Sequence, residues 1–208
     1  MNFKTEQENF WYGEFGDEYI DRNDGDQYIA SSLNLLTKAL NNIERPESII
    51  EFGANIGLNL RAIKLLFPKC QPSALEINRK ACEKLRSILT EGYIFNQSIL
   101  NFEPPQKYDL VIIKGVLIHQ NPDDIEKVYE KLIVSCKKYL LISEYYSPNP
   151  VKVDYRNHSN RLFKRDWAGE ILDKYKFMKL IDYGFVYHRD AKFPLDDENW
   201  FLLEKIQY

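Results

Sequence analysis

The sequence is short of the residues that build disulfide frameworks, metal centres or nucleic-acid grips. Its 208 residues include three cysteines and three histidines, and the formal net charge is −3. Cys70, Cys82 and Cys136 are scattered and show no C-x-x-C spacing. That usage points to reduced, buried thiols and a cytoplasmic location. No group of His, Asp and Glu has ligand spacing, so no metal is expected. Without a basic excess, bulk nucleic-acid binding is not expected either. No apolar run approaches the roughly 18 residues needed to cross a bilayer. The opening MNFKTEQENF carries neither the basic nor the apolar region of a secretory signal. Internal repeats and low-complexity tracts are also missing.

What is present describes one soluble α/β domain. Hydrophobic residues make up 44% and charged residues 28%, an ordinary balance for a chain long enough to bury a full core. Over residues 26–43, Ile29, Leu33, Leu36 and Leu40 recur at spacings of three and four, as on an amphipathic helix. Pro46 closes that segment. Strands are then expected at 48–53, 72–78, 93–98, 108–115 and 138–146. Helices are expected at 58–67, 79–91 and 122–136. Strands separated by helices imply parallel βαβ units, doubly wound with helices on both faces. The near-continuous apolar runs at 110–113 and 140–142 fit a sheet buried on both sides. After Tyr146 a polar stretch, 147–165, precedes a helix at 167–178. Two strand-like runs follow, joined by a loop alone, and so expected to pair antiparallel.

The most informative stretch is SIIEFGANIGLNL, residues 48–60. A dinucleotide loop, G-x-G-x-x-G, would need glycine where Asn55 and Leu58 stand. Gly53 permits a sharp exit from the strand, and Gly57 a close approach of backbone to ligand. Asn55 tolerates a left-handed conformation in place of glycine. Two glycines with a carboxylate at Glu51 suit a zwitterionic tail carrying an amine better than a pyrophosphate. Glu76 closes the second expected strand, where a carboxylate accepts from both hydroxyls of a ribose. This placement is shared by NAD and S-adenosylmethionine sites. Ser98 and Ile99 follow the third strand, where an adenine edge and face would rest. Ala54, Ile77 and Lys114 complete the candidate cofactor contacts.

In this order, IIEFGANIGLNL, ALEIN, NQSI and YDLVIIKGVLIH resemble the class I S-adenosylmethionine-dependent methyltransferases. The resemblance implies a seven-stranded, mostly parallel, Rossmann-like sheet with an antiparallel C-terminal strand. It also implies S-adenosyl-L-methionine as cofactor. More narrowly, WYGEFGDEYIDRN, EFGANIGLNLRAIKLLFP and LFKRDWAGEILDKY look like the pseudaminic acid biosynthesis-associated methylases, along nearly the whole chain. That implies a sugar acid or nucleotide-linked sugar of surface-glycan synthesis as acceptor. The departure from the general methyltransferase motif is Asn55, at its middle glycine.

Methyl transfer needs alignment of an acceptor and, for a hydroxyl acceptor, a base. His119, just past the fourth strand, is the candidate base; the alternative is a histidine that only lines the pocket. His158 and His188 are assigned structural or substrate-contacting roles. Residues 1–45 are expected to form a helical cap on a core of 46–208. In that cap Trp11, Phe15, Tyr19 and Arg22 either cover the sheet edge or form a lid, with Trp11 and Tyr19 toward substrate and Arg22 toward the cofactor carboxylate. Within 147–178, Arg156, Arg161 and Arg165, with Tyr146 before them, either make a solvated basic face or bind an anionic acceptor. Two other classes stay open: an NAD-dependent oxidoreductase, and a non-catalytic partner that keeps the fold.

Overall fold

The structure, a computed structural model, describes residues 3–22 and 25–206. Three helices come first: α1 (Glu6–Tyr12), α2 (Glu14–Arg22) and α3 (Asp26–Ala39). The alternating region then supplies β1 (Ser48–Phe52), α4 (Leu58–Leu66), β2 (Gln71–Glu76), α5 (Arg79–Leu85), β3 (Ile94–Asn96), β4 (Tyr108–Lys114), α6 (Ile125–Ser135) and β5 (Cys136–Glu144). A hairpin of β6 (Val151–Tyr155) and β7 (His158–Lys164) leads to α7 (Trp167–Lys174), and β8 (Met178–Phe185) and β9 (Asn199–Lys205) follow.

Seven strands form one sheet in the order β3-β2-β1-β4-β5-β9-β8. The five strands from β3 to β5 pair in parallel, whereas β9 runs antiparallel to both β5 and β8. The chain winds outward from β1 through β2 to β3, then returns to place β4 on the other side of β1. That reversal opens a crevice beyond the carboxyl ends of β1 and β4.

Alternation along each strand sends successive side chains to opposite faces. Ile49, Leu110 and Ile112 meet Leu35 and Leu36 of α3 and Ile63 of α4. Ile50, Val111 and Ile113 meet Val128 and Leu132 of α6 and Trp167 of α7. Each fully buried side chain of this kind contributes about 1.5–3 kcal/mol. The same alternation turns Glu51 toward α4, between core positions Ile50 and Phe52.

Several expected boundaries move. The 79–91 helix stops at Leu85, where the Ser87 hydroxyl donates to the Lys84 carbonyl at 2.8 Å and competes with helical bonding. The 26–43 helix stops at Ala39 and the 167–178 helix at Lys174, because Met178 already pairs with Lys205. The polar stretch 147–165, given no element from sequence, is mostly strand. It folds as β6–β7 around Arg156 (φ 49°) and Asn157 (φ 66°), the left-handed pair that a two-residue hairpin turn requires.

Helix α1 opens with a capping box: Glu8 accepts from the Thr5 backbone while the Thr5 hydroxyl accepts from Glu8 N. The α1–α2 pair spans the crevice. On one bank Asn78 Nδ2, at the start of α5, donates to the Trp11 carbonyl (3.2 Å) and to Asp17 (2.9 Å). On the other, Gln7 donates to the Asn160 carbonyl and Arg161 pairs with Glu6, both at 3.0 Å. No helix among the described residues is long and apolar enough to cross a membrane.

Candidate functional site

The crevice floor is the turn after β1. Asn55 adopts φ 47°, left-handed, and its amide donates to Glu76 Oε2 at 2.7 Å. Glu76 Oε1 accepts from the Asn78 amide at 2.7 Å. Two backbone bonds thus orient the carboxylate that ends β2, with further lone pairs left for a ligand. Burial raises its pKa, against the pull of those backbone bonds. Gly53 (φ 71°) is required for a second reason: a Cβ there would collide with the Val116 side chain. Gly57 (φ 80°) corrects the sequence reading. A Cβ on it would strike Ile88 and Leu85, so its bareness serves packing against α5 rather than approach to a ligand.

Beneath the turn, Glu51 is 1% exposed. Its Oε1 accepts from Asn59 Nδ2 at 2.6 Å, while Oε2 has no hydrogen-bond partner. Burial pushes this carboxyl up to about 8, with the Asn59 bond and the Lys114 charge opposing. Ligand-free, the group therefore holds its proton at neutral pH, and an ammonium brought to the unpartnered oxygen would favour the ionised form. Lys114 itself is committed: its Nζ lies 2.8 Å from Glu198 Oε1, and Ser143 Oγ donates to Glu198 Oε2 at 2.7 Å. Burial lowers the Lys114 pKa, but the Glu198 charge and bond outweigh it, and the net direction is upward.

The roof carries His119. Its Nδ1 sits 2.5 Å from the Arg161 carbonyl on β7. A carbonyl only accepts, so Nδ1 bears the proton and Nε2 presents a lone pair. Burial holds the imidazole down to about 4, with that carbonyl bond opposing. The ring packs against Trp11 (4.6 Å) and Tyr155 (4.9 Å) between centroids. Glu144, buried at the end of β5, accepts from the amides of Val116 and Leu117 at 2.8 Å and of Ile118 at 3.4 Å. It fixes the turn that delivers His119. Nothing in the sequence singled out Glu144, because one acidic residue ending an apolar strand resembles any surface position.

Gly53, Ala54, Asn55, Glu76, Ile77 and Lys114 line one cleft, joined by Ser98, Ile99, His119, Trp11 and Tyr19. The Ser98 hydroxyl accepts from Leu100 N at 3.1 Å and shapes the turn after β3. Seven expected contacts fall outside the lining, the first being Glu51, buried beneath the turn. Arg22 pairs with Glu18 on its own helix and lies over Phe15. Gly57 sits under α5, as described. Tyr146 is exposed and stacks toward Phe201. Arg156 occupies the hairpin turn, Arg161 is held by Glu6 over the Phe10 ring, and Arg165 pairs with Glu170 at 2.7 Å. For Arg161 the reason is strand alternation, which sends only every second side chain of the hairpin to the cleft, and there the hairpin presents Tyr155 instead. Residues that the sequence did not single out also line it, among them Glu8, Asn59, Gln97, Tyr145 and Asp196. Among the described residues no group of three or more His, Cys, Asp or Glu side chains is placed to hold a metal.

No protein-family model and no curated protein sequence matches the chain. Solved structures do match its fold. The 1,6-didemethyltoxoflavin-N1-methyltransferase of Burkholderia thailandensis, solved with its substrate and S-adenosylhomocysteine, is 18% identical with a TM-score of 0.70, over 97% of this chain and 87% of that one. Magnesium protoporphyrin IX methyltransferase of Synechocystis PCC 6803, with S-adenosylmethionine bound, is 16% identical at a TM-score of 0.67, over 99% and 100%. The mitomycin 7-O-methyltransferase MmcR is 14% identical at 0.67, over 97% of this chain, which spans 61% of that longer protein. The fold is therefore that of the Rossmann-like, S-adenosylmethionine-dependent methyltransferases.

Proposed function

We propose that the protein is an S-adenosylmethionine-dependent methyltransferase acting on a small molecule. The observation that carries this reading is the pair of buried carboxylates ending β1 and β2. Glu76 is held by two amides with lone pairs to spare for two ribose hydroxyls, and Glu51 keeps an unpartnered oxygen suited to an ammonium. Ser98 and Ile99 are assigned to the adenine. The NAD reading is disfavoured by Asn55, whose amide is spent on Glu76 instead of a pyrophosphate. The cofactor supplies a methyl group already activated on a sulfonium. The chain then has to align the acceptor and, for a hydroxyl, take its proton, a role assigned to His119 Nε2. Helices α1 and α2 act as the lid that excludes water, with the β6–β7 hairpin forming the acceptor side.

For the acceptor, the sequence resemblance supports a sugar of pseudaminic acid-type glycan synthesis. Trp11 and Tyr155 offer flat apolar faces of the kind a sugar ring stacks upon. An anionic form of that sugar finds no uncommitted cation among the described lining residues, since Lys114 is paired with Glu198. A cytoplasmic location is part of the proposal, supported by three separate, buried thiols. The test is calorimetric titration with S-adenosylhomocysteine and with NAD, followed by labelled methyl transfer to a panel of nonulosonic acids, their nucleotide conjugates and amino sugars. Binding of NAD without S-adenosylhomocysteine would sink the proposal. Binding of S-adenosylhomocysteine without transfer to any acceptor would favour a non-catalytic partner.

A further inference from the structure

We infer that the acceptor is amine-bearing and presents a cationic nitrogen to the carboxylates of Glu8 and Asp196, rather than a carboxylate or phosphate to the arginines of the hairpin. This deepens the methyltransferase reading and rests on it.

The lining of the cleft is lopsided. Among the described lining residues, Glu8, Glu76, Asp196 and Glu198 face one lysine, Lys114, and no arginine. Glu76 belongs to the cofactor end, and Glu198 is neutralised by Lys114 at 2.8 Å. Glu8 and Asp196 are left over. Charge excess of one sign in a low-dielectric cleft selects a ligand of the other sign. Arg161 and Arg165 pair with Glu6 and Glu170 and lie outside the lining, although Arg161 Nε is itself buried without a partner.

Glu8 is the sharper observation. It is 6% exposed, and its Oε2 accepts from the amides of Lys4 and Thr5 at 2.9 Å and the Thr5 hydroxyl at 3.0 Å. Its Oε1 has no partner at all. The capping box accounts for one oxygen and leaves the other an acceptor without a donor. Glu8 and Trp11 are three residues apart on α1 and share a face, and the Trp11 ring touches His119. Glu8, Trp11 and His119 thus line the same cleft. Trp11, Tyr19 and Tyr155 line the same space, and aromatic faces attract cations. Asp196 lines the same cleft beside Tyr145 and supplies a second carboxylate. The nitrogen is the recognition point; the methylated atom is the one brought to His119.

The test uses the full chain saturated with S-adenosylhomocysteine and three isosteric probes: tyramine, tyrosol and 4-hydroxyphenylacetate. Calorimetry is expected to rank tyramine above tyrosol by about tenfold, the worth of a charged hydrogen bond, and the carboxylate last. Glu8→Gln keeps the capping box, because glutamine serves at that position too. It should cut tyramine affinity by about tenfold while leaving tyrosol unchanged, and Asp196→Asn should act in the same direction. Equal affinity for tyramine and tyrosol, preference for the carboxylate, no tyramine binding, or unchanged tyramine affinity in Glu8→Gln overturns the inference. Failure of S-adenosylhomocysteine itself to bind overturns the cofactor reading instead, so the two failures are distinct.

Discussion

The Asn55 amide and the Glu76 carboxylate meet at 2.7 Å, so the turn after β1 and the end of β2 behave as one unit. The missing middle glycine is thereby explained. Asn55 reaches the left-handed conformation that aims its amide sideways at Glu76, and Glu76 gains an orientation that a free side chain would lack.

Glu76→Ala removes both the proposed ribose acceptor and the partner of two amides. It should weaken S-adenosylhomocysteine binding by about 1.5–3 kcal/mol, the range for charged hydrogen bonds. Calorimetry on the folded variant checks this, and unchanged affinity would remove Glu76 as the ribose ligand.

His119→Gln should lower turnover by about 10²-fold or more, as for loss of a general base, with cofactor affinity unaltered. Burial lowers the His119 pKa from 6.5 to about 4. The imidazole is therefore neutral at ordinary pH, and the acid limb of the wild-type rate profile should fall near 4 instead of near 6.5. A limb centred at 6.5, or a variant of normal rate, argues for a histidine that only lines the cleft.

Glu51→Gln reads the buried carboxyl through stability. Its pKa rises on folding from 4.5 to about 8, so between those values the folded state holds the extra proton. Stability from this group is full at low pH and is lost as pH rises through that window, at up to about 1.4 kcal/mol per pH unit. Glutamine does not titrate. Urea unfolding of the ligand-free protein should show the variant gaining on wild type from pH 4.5 to 8, and a constant difference would refute the shift.

Gly57→Ala places a Cβ at φ 80° against Ile88 and Leu85. The left-handed conformation alone is worth about 1–2 kcal/mol against a non-glycine residue. The midpoint of urea unfolding should fall accordingly, with an unchanged m-value. A loss confined to cofactor affinity, with stability intact, would instead restore the ligand-approach role.

Reading from sequence succeeded where a residue acts through its own strand or turn. Gly53, Asn55 and Glu76 are local: each follows a short apolar run, and turn chemistry demands small or left-handed-tolerant residues there. It failed where a second segment decides direction. Arg161 and Tyr155 both lie on the basic, aromatic hairpin, yet only Tyr155 faces the cleft, because the Arg156–Asn157 turn sets the register of β6 on β7. Glu8 was not singled out in the sequence, because its second oxygen gains meaning only once α1 lies across the crevice.

The sequence by itself determined the alternation of strands and helices, the antiparallel final pair and the glycine-bearing turn after β1. Apolar periodicity and glycine placement act within a few residues, so they need no partner to be read. The tertiary structure alone decided the acidic lining of the cleft, the tautomer of His119 and the role of Glu144. Each depends on groups far apart in the chain, Glu8 with Asp196, His119 with the Arg161 carbonyl, and Glu144 with the amides of 116–118, which meet only after the sheet has formed.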